Sequence, residues 1–261
     1  MNILDELAAY SKLRVEADKQ KVSLDEIKTL AENSNVGDGK KFLSALRRPQ
    51  LSFICEVKKA SPSKGIIAEN FPYVAIAKDY EAAGADCISC LTEPKYFLGS
   101  DEIFKEIRAE VTIPMLRKDF TVDEYQIYQA KVMGADAVLL ICAILTAADI
   151  ARYLELCAEL NLEAIVETHD ENEIKTAVEV GAEIIGVNNR NLKNFTVDFD
   201  NAARLRELIP PNKIYVAESG VKTPADIVIL KRIGADAVLI GETLMRAVDK
   251  KSALNNFREA H

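Results

Sequence analysis

The sequence predicts an α/β fold, a closed (β/α)8 TIM barrel with an N-terminal helical extension. Four segments repeat a Gly-Ala-acid turn followed by a short apolar run, and another strand-like run precedes each of them. The 261 residues are 49% hydrophobic and 28% charged, which is typical of a globular protein. Barrels of this class commonly have about 250 residues in one domain. We therefore expect a single domain over residues 1–261.

Residues 1–50 precede the first predicted strand and form the extension. Ser23-Leu24-Asp25-Glu26 has the Ser-x-x-Glu pattern of a capping box, and residues 1–10 suggest another helix. About 50 residues alone make only a marginal core. We therefore expect the extension to pack on the barrel instead of forming a separate domain.

The predicted strands alternate between two sets. Their runs of Val, Ile and Leu are typical of parallel strands that are buried on both faces. A mean spacing of about 25 residues is the length of one βα unit. The repeats begin at Gly84, Gly134, Gly181 and Gly234, and the other runs are 51–58, 111–119, 162–168 and 213–219.

The segments between the strands carry helix-start signals. Thr121, Asp170 and Thr223 are each followed three positions later by an acidic residue, as at the start of a helix. Pro224 adds a proline at the first helical position. Helices alternating with strands complete the barrel pattern.

Several classes of function are excluded by composition. A net charge of −8 argues against nucleic-acid binding, which needs clustered Lys and Arg, but permits a small anionic ligand. The acidic start has no secretory pattern, and no apolar run approaches the length of a membrane span, so we expect a cytoplasmic protein. Cys87 and Cys90 form a CxxC within one predicted strand, where they point to opposite faces. With only His169 and His261 in addition, we expect neither a disulfide framework nor a metal site.

Ionisable residues end the four strands that precede the repeats. Inward positions of alternate strands fall in one layer of a barrel, and active sites of this fold lie at the carboxyl ends of the strands. Taken singly, such residues are more often solvated surface ion pairs, but together they predict a catalytic mouth containing both lysines and glutamates. These residues are Glu56, Lys58, Lys118, Glu167 and Glu218, and Asn188 could join them.

A phosphate site is predicted beside them. Ser219-Gly220 ends one strand, and Gly241-Glu242 follows the last strand and opens a helix. Loops in these positions form the recurrent phosphate site of the fold, where glycine allows backbone N–H groups to approach an anion. Ser61 and Arg190 could close over the same phosphate, although both could be ordinary loop residues.

An ordered series of motifs resembles the indole-3-glycerol-phosphate synthase family. The motifs extend over nearly the whole chain, and the set is far more specific than any one of them. They are CEVKKASPSKG (55–65), LTEPKYFLGS (91–100), PMLRKDF (114–120), IVETHD (165–170), GVNNRNL (186–192), VAESG (216–220) and LIGETLMR (239–246).

The resemblance implies conversion of 1-(2-carboxyphenylamino)-1-deoxyribulose 5-phosphate into indole-3-glycerol phosphate, CO₂ and water, without metal or organic cofactor. It implies that Lys118 is the general acid at the ketone and that Glu167 is its acid–base partner in the dehydration. Glu56 and Lys58 would position and protonate, with Lys58 near the departing carboxylate. Asn188 and Glu218 would hold hydroxyl and amine groups. The implied phosphate ligands are Ser61, Arg190, Ser219, Gly220, Gly241 and Glu242 (through its backbone), and the implied aromatic pocket is Phe97, Phe120 and Leu140.

Two other functions stay open. Another phosphate-binding barrel, such as phosphoribosylanthranilate isomerase, would usually need an Asp or Cys acid–base pair, whereas the first strand here ends in Glu-x-Lys. A non-catalytic binding barrel would not need charged ends on so many strands. The expected partner is a small phosphorylated substrate, with the chain a monomer or a weak homodimer. Which lysine donates in which step is left open.

Overall fold

The computed structural model describes residues 3–34, 40–190, 196 and 199–260. The strands are β1 (Ser52–Val57), β2 (Ala60–Ser61), β3 (Gly65–Ile66), β4 (Cys87–Leu91), β5 (Met115–Lys118), β6 (Ala137–Ile141), β7 (Glu163–Thr168), β8 (Ile184–Asn188), β9 (Ile214–Glu218) and β10 (Ala237–Ile240). Eight of them are parallel and close into a barrel in the order β1-β10-β9-β8-β7-β6-β5-β4, which confirms the predicted fold class. A two-stranded antiparallel ribbon, β2 with β3, lies in the loop after β1.

Three helices precede the first barrel strand, and each barrel strand is followed by a helix before the next one begins or the chain ends. The helices are α1 (Ile3–Lys19), α2 (Leu24–Glu32), α3 (Lys41–Leu46), α4 (Tyr73–Ala82), α5 (Asp101–Glu110), α6 (Glu124–Met133), α7 (Ala147–Glu159), α8 (Glu171–Glu179), α9 (Phe199–Arg206), α10 (Pro224–Arg232), α11 (Glu242–Arg246) and α12 (Lys250–Arg258). None of the helices described is both long enough and apolar enough to cross a membrane.

The helix starts agree with the sequence pattern at three sites. Ser23 and Glu26 form the capping box of α2, Asp170 caps α8, and Thr223 precedes α10. The prediction for Thr121 is wrong, because α6 begins later and its N-cap is Asp123, which accepts a hydrogen bond from the Tyr125 amide at 2.9 Å.

The core has an inner and an outer layer because successive strand residues point to opposite faces. On β6, Leu139 and Ile141 belong to the inner cluster, whereas Val138 and Leu140 pack outward against the helices. The two cysteines of the CxxC divide in the same way, with Cys87 inside and Cys90 outside. As predicted, they cannot share a ligand.

The N-terminal helices pack against both ends of the barrel. At the end where strands begin, the Leu43 amide of α3 donates to Glu163 Oε2 at 2.7 Å. At the opposite end, Ser11 Oγ of α1 donates to the Phe120 carbonyl at 2.7 Å, and Arg14 Nη2 lies 2.6 Å from Asp119 Oδ1. Helix α1 is therefore anchored to the loop that directly follows β5.

Candidate active site

A cavity of about 790 Å³ opens at the carboxyl ends of the barrel strands. It gathers fourteen of the fifteen predicted site residues, and Leu140 is the exception. The residues it brings together are Glu56, Lys58, Ser61, Phe97, Lys118, Phe120, Glu167, Asn188, Arg190, Glu218, Ser219, Gly220, Gly241 and Glu242.

Lys118 lies between two carboxylates. Its Nζ is 3.2 Å from Glu167 Oε2 and 3.7 Å from Glu218 Oε2, and both glutamates are buried. Lys118 ends β5, Glu167 is the penultimate residue of β7, and Glu218 ends β9. These strands alternate with β6 and β8 in the barrel, which brings the three side chains into one layer.

The two carboxylates carry opposite pKa shifts. Burial alone would raise the pKa of Glu167, but the charges of Lys118 and His169 outweigh burial and hold this pKa well below its ordinary range. Burial together with the negative charge of Glu167 raises the pKa of Glu218 to about 8. The surroundings therefore favour the ionised form of Glu167 and the protonated form of Glu218.

Lys118 is a cation over the whole neutral range. Burial disfavours its charged form, but the carboxylates of Glu167 and Glu218 outweigh burial and raise the pKa of Lys118. Such a lysine has a proton to give, and the ionised carboxylate of Glu167 stabilises its charge until the proton is given.

Glu56 and Lys58 form a second ion pair on β1 and in the residue after it. Lys58 Nζ donates to Glu56 Oε1, and the Glu56 side chain is buried. Gly241 lies directly against this pair, since a Cβ there would overlap Glu56 Oε1 and stand 2.9 Å from Lys58 Nζ. Gly241 therefore makes room for the ion pair as well as facing the cavity.

Asn188 ends β8, and Arg190 lies two residues further along the chain. Asn188 Nδ2 donates to Glu167 Oε1 at 3.1 Å, and the Arg190 amide donates to Asn188 Oδ1 at 3.0 Å. Asn188 thus orients the carboxylate of Glu167, and the backbone of Arg190 orients Asn188.

The predicted phosphate residues line one side of the cavity. Ser219 and Gly220 have φ values of 67° and 100°, so both adopt left-handed backbone. Ser219 is a non-glycine residue in that region, a conformation that recurs at binding sites. Glu242 directs its carboxylate to Arg246 Nε at 3.1 Å, which leaves its backbone as the part suited to an anion.

Phe97 and Phe120 form the aromatic wall, with ring centroids 6.0 Å apart. The prediction for Leu140 is wrong, because its side chain faces the outer layer of the core. Its neighbours Leu139 and Ile141 line the cavity instead, together with residues of α1 that include Leu7.

Glu93 is a positioning residue that the sequence did not reveal. It is buried, and its carboxylate accepts the amides of Lys95, Tyr96 and Phe97 at 2.9, 2.7 and 2.9 Å. These bonds shape the loop that carries Phe97. An acid directly before a proline, just after a strand, was the available signal.

His169 was also missed. It lies two residues beyond Glu167, and its Nε2 is 3.3 Å from Glu167 Oε1. The spacing that places Glu56 and Lys58 on one face would have found it. Among the described residues, no group of three or more His, Cys, Asp and Glu is arranged to hold a metal ion.

The sequence profile of one family, described as indole-3-glycerol phosphate synthase, matches residues 4–257. The chain belongs to this family. A relative named indole-3-glycerol phosphate synthase from Ruminiclostridium cellulolyticum is 55% identical over 256 residues, which cover 98% of both chains. One of the same name from Endomicrobium trichonymphae is 50% identical over 260 residues, covering 98% of this chain and all of that one. Membership of the indole-3-glycerol phosphate synthase family favours the synthase over the isomerase and the non-catalytic barrel.

Solved structures with low sequence identity share the barrel. The 3-hexulose-6-phosphate synthase from Salmonella typhimurium has a TM-score of 0.66 at 12% identity and covers 80% of this chain and 98% of its own. The thiamine phosphate pyrophosphorylase from Pyrococcus furiosus has a TM-score of 0.62 at 17% identity, covering 80% and 95%. At these identities the likeness shows the fold alone.

Proposed function

We propose that the chain catalyses the reaction for which its family is named. In this reaction 1-(2-carboxyphenylamino)-1-deoxyribulose 5-phosphate closes to indole-3-glycerol phosphate with loss of CO₂ and water. The observation that carries the proposal is the position of Lys118 between Glu167 and Glu218 inside a cavity that also has an anion side and an aromatic side.

Lys118 is assigned to ring closure. The aryl carbon that bears the carboxylate attacks the ketone carbon, and negative charge develops on the ketone oxygen. A protonated lysine beside that oxygen donates its proton and neutralises the charge in the transition state. The raised pKa of Lys118 supports this role, because the proton is in place before the substrate arrives.

Lys58 and Glu56 are assigned to the carboxylate of the substrate. Lys58 would hold the carboxylate until the carbon–carbon bond to CO₂ breaks and returns its electrons to the ring. Glu56 keeps the ammonium of Lys58 oriented through their ion pair. This division leaves Lys118 as the acid of the first step and Lys58 as the binder of the leaving group.

Glu167 and Glu218 are assigned to the dehydration. The hydroxyl formed from the ketone leaves as water after it takes up a proton, and the methylene next to the nitrogen loses a proton. The ionised carboxylate of Glu167 can accept a proton, whereas Glu218 has one to share with the amine or hydroxyl. Asn188 holds the carboxylate of Glu167 for this step.

The two ends of the substrate are assigned to opposite walls. The phosphate would lie against the backbone of Ser219, Gly220 and Gly241, with Ser61 and Arg190 closing over it. The aromatic ring would lie against Phe97 and Phe120, where Leu139 replaces Leu140 in the wall.

We further propose that the protein acts in the cytoplasm, as a monomer or a weak homodimer. Sedimentation of the purified protein would test the oligomeric state.

The decisive experiment is turnover by the purified protein. The appearance of indole fluorescence from the carboxyphenylamino ribulose phosphate supports the proposal, and a Lys118→Met preparation made in parallel detects contaminating host enzyme. Isomerisation of phosphoribosylanthranilate, with no indole formed from the synthase substrate, would overturn it.

A further inference from the structure

His169 lies against a carboxylate that the proposed mechanism uses, and no step above employs it. It follows the last residue of β7 and shares a face with Glu167. Its Nε2 lies 3.3 Å from Glu167 Oε1, an ion-pair distance without hydrogen-bond alignment. Only 18% of the His169 side chain is exposed. The contact between the imidazole ring and the Glu167 carboxylate is therefore electrostatic, and it is largely shielded from solvent.

The other side of the imidazole is held by helix α8. Glu173 Oε2 lies 3.1 Å from His169 Nδ1 and also accepts the His169 amide at 2.7 Å. Glu173 is itself placed by the N-cap of α8, where Asp170 Oδ1 accepts the Glu173 amide at 3.0 Å. The ring therefore cannot turn away from Glu167 without breaking a contact made by α8.

Other elements contribute further charges around this pair. From β5, Lys118 reaches Glu167 Oε2, and from β9 the carboxyl of Glu218 lies beyond it. From the loop after β6, the Cys142 thiol lies 3.7 Å from the Glu173 carbonyl. In the described part of the chain, the two side chains within ion-pair distance of the His169 ring, Glu167 and Glu173, are both acidic. This environment favours the imidazolium form, and contacts with Glu167 and Glu173 overcome burial and raise the pKa of His169 to about 10.

The order of the proposed proton transfers explains why the contact between His169 and Glu167 matters. Once Lys118 has given its proton to the ketone oxygen, it is neutral and no longer stabilises the negative charge of Glu167. A buried carboxylate without a cation tends to take up a proton. The later dehydration, however, needs Glu167 ionised.

We propose that His169, held by Glu173, is a positioning residue that keeps the Glu167 carboxylate oriented and ionised after Lys118 has donated its proton. The inference rests on the proposed function, because only that reaction separates the two steps. His169 itself touches no reacting atom in this scheme.

The kinetic test compares His169→Asn and His169→Phe with the wild type. We expect kcat to fall by about 10- to 100-fold, less than the largest losses from removing a general acid or base itself, with KM within about twofold. Without the imidazolium the pKa of Glu167 rises, so the acid limb of the kcat–pH profile moves to higher pH. A purely structural role would lower activity without moving that limb.

Glu173→Gln is the second variant, in case replacement of His169 impairs folding. It keeps an oxygen that accepts the His169 amide but removes the negative charge. We therefore expect the acid limb of the kcat–pH profile to move in the same direction by a smaller amount. Glu171→Gln is the matched control, because Glu171 lies in the same first turn and pairs with the exposed Arg204. Wild-type kcat and pH profile in the His169 and Glu173 variants would overturn the inference while the proposed function stands.

A second measurement does not depend on turnover. The chain has two histidines, so its ring NMR signals are few, and the signal lost in His169→Asn identifies the residue. We expect this ring to titrate far above the ordinary value near 6.5, and to fall toward it in Glu167→Gln and Glu173→Gln. An ordinary titration of His169 in the wild type would overturn the inference, whatever the outcome for the function.

Discussion

Gly186 lies directly against Glu218. A Cβ on Gly186 would overlap Glu218 Oε1 and stand 3.0 Å from Ile165 Cγ2. The described residues provide no hydrogen-bond partner for Glu218 Oε1, which is buried. The glycine at this inward position of β8 thus leaves space for the carboxyl group of Glu218 inside the barrel.

The buried carboxyl group of Glu218 should make the folded protein less stable as pH rises. The folded-state pKa of Glu218 is about 8, above the ordinary value of 4.5, so the unfolded chain releases a proton that the folded chain retains. The free energy of unfolding therefore falls as pH rises through this window. Glu218→Gln cannot ionise, and we expect its Tm at pH 8 to exceed that of the wild type by about 2–4 °C, the shift that about 1 kcal/mol produces at this size.

Thermal melts at pH 5 and pH 8 check this expectation, with the exposed Glu179→Gln as control. The gain should be smaller at pH 5, and kcat should fall at both values. A gain that is equal at the two pH values would show that Glu218 does not titrate in this window.

Lys118→Met removes the proposed general acid while keeping much of the side-chain volume. Steady-state kinetics should show kcat reduced by about 10²- to 10⁴-fold, because general acid catalysis is lost, with KM within a small factor. Near-normal kcat in this variant would transfer the acid role to Lys58.

Lys58→Met should behave differently. If Lys58 holds the carboxylate of the substrate, its loss should raise KM as well as lower kcat. Binding of a product analogue that lacks this carboxylate should change little, and calorimetry would measure it. An unchanged KM would place the substrate carboxylate elsewhere.

Gly241→Ala tests the close contact between Gly241 and the ion pair of Glu56 with Lys58. The added Cβ would displace Glu56 Oε1 and Lys58 Nζ, so we expect KM to rise and kcat to fall together. Gly241→Val should be worse, because its larger side chain also enters the proposed anion path. Wild-type kinetics in the alanine variant would show that the ion pair relaxes without consequence.

Glu93→Gln tests the loop that carries Phe97. A glutamine has one acceptor oxygen, so at least one of the three backbone amides would lose its partner, at a cost of about 1–3 kcal/mol. We expect a lower Tm and a higher KM, with Glu102→Gln on the exposed face of α5 as control. Intact KM despite a lower Tm would separate the loop from substrate binding.

Activity should be insensitive to chelation. The proposed reaction assigns charge neutralisation at the ketone oxygen to Lys118, where a metal-dependent enzyme would use a Lewis acid. Full activity after exhaustive EDTA treatment is the expected result. Reproducible loss that a divalent ion restores would contradict the assignment.

The sequence predicts the barrel strands well because buried parallel strands have a strong apolar signal. It places the start of β5 too early, because residues 111–113 have high strand propensity. Pro114 cannot donate to a ladder, however, and the strand begins at Met115. It does not predict the ribbon of β2 and β3, whose residues have no strand periodicity.

The candidate site is predictable where a charge interrupts an apolar strand. Glu56, Lys118 and Glu218 stand out in this way. The error at Leu140 arises because the choice between its face and that of Leu139 depends on strand tilt and register, which a continuous apolar run does not encode. Contacts across long separations, such as that of Arg14 with Asp119, have no local signal at all.

The anchoring of α1 has a consequence for the order of folding. The bond from Ser11 to the Phe120 carbonyl spans 109 residues, and that from Arg14 to Asp119 spans 105. Both partners lie directly after β5 and take up their positions only when β5 has paired with its neighbours, so these contacts form after that part of the sheet. We therefore expect β5 of a refolding chain to be paired before α1 docks and completes the wall of the cavity.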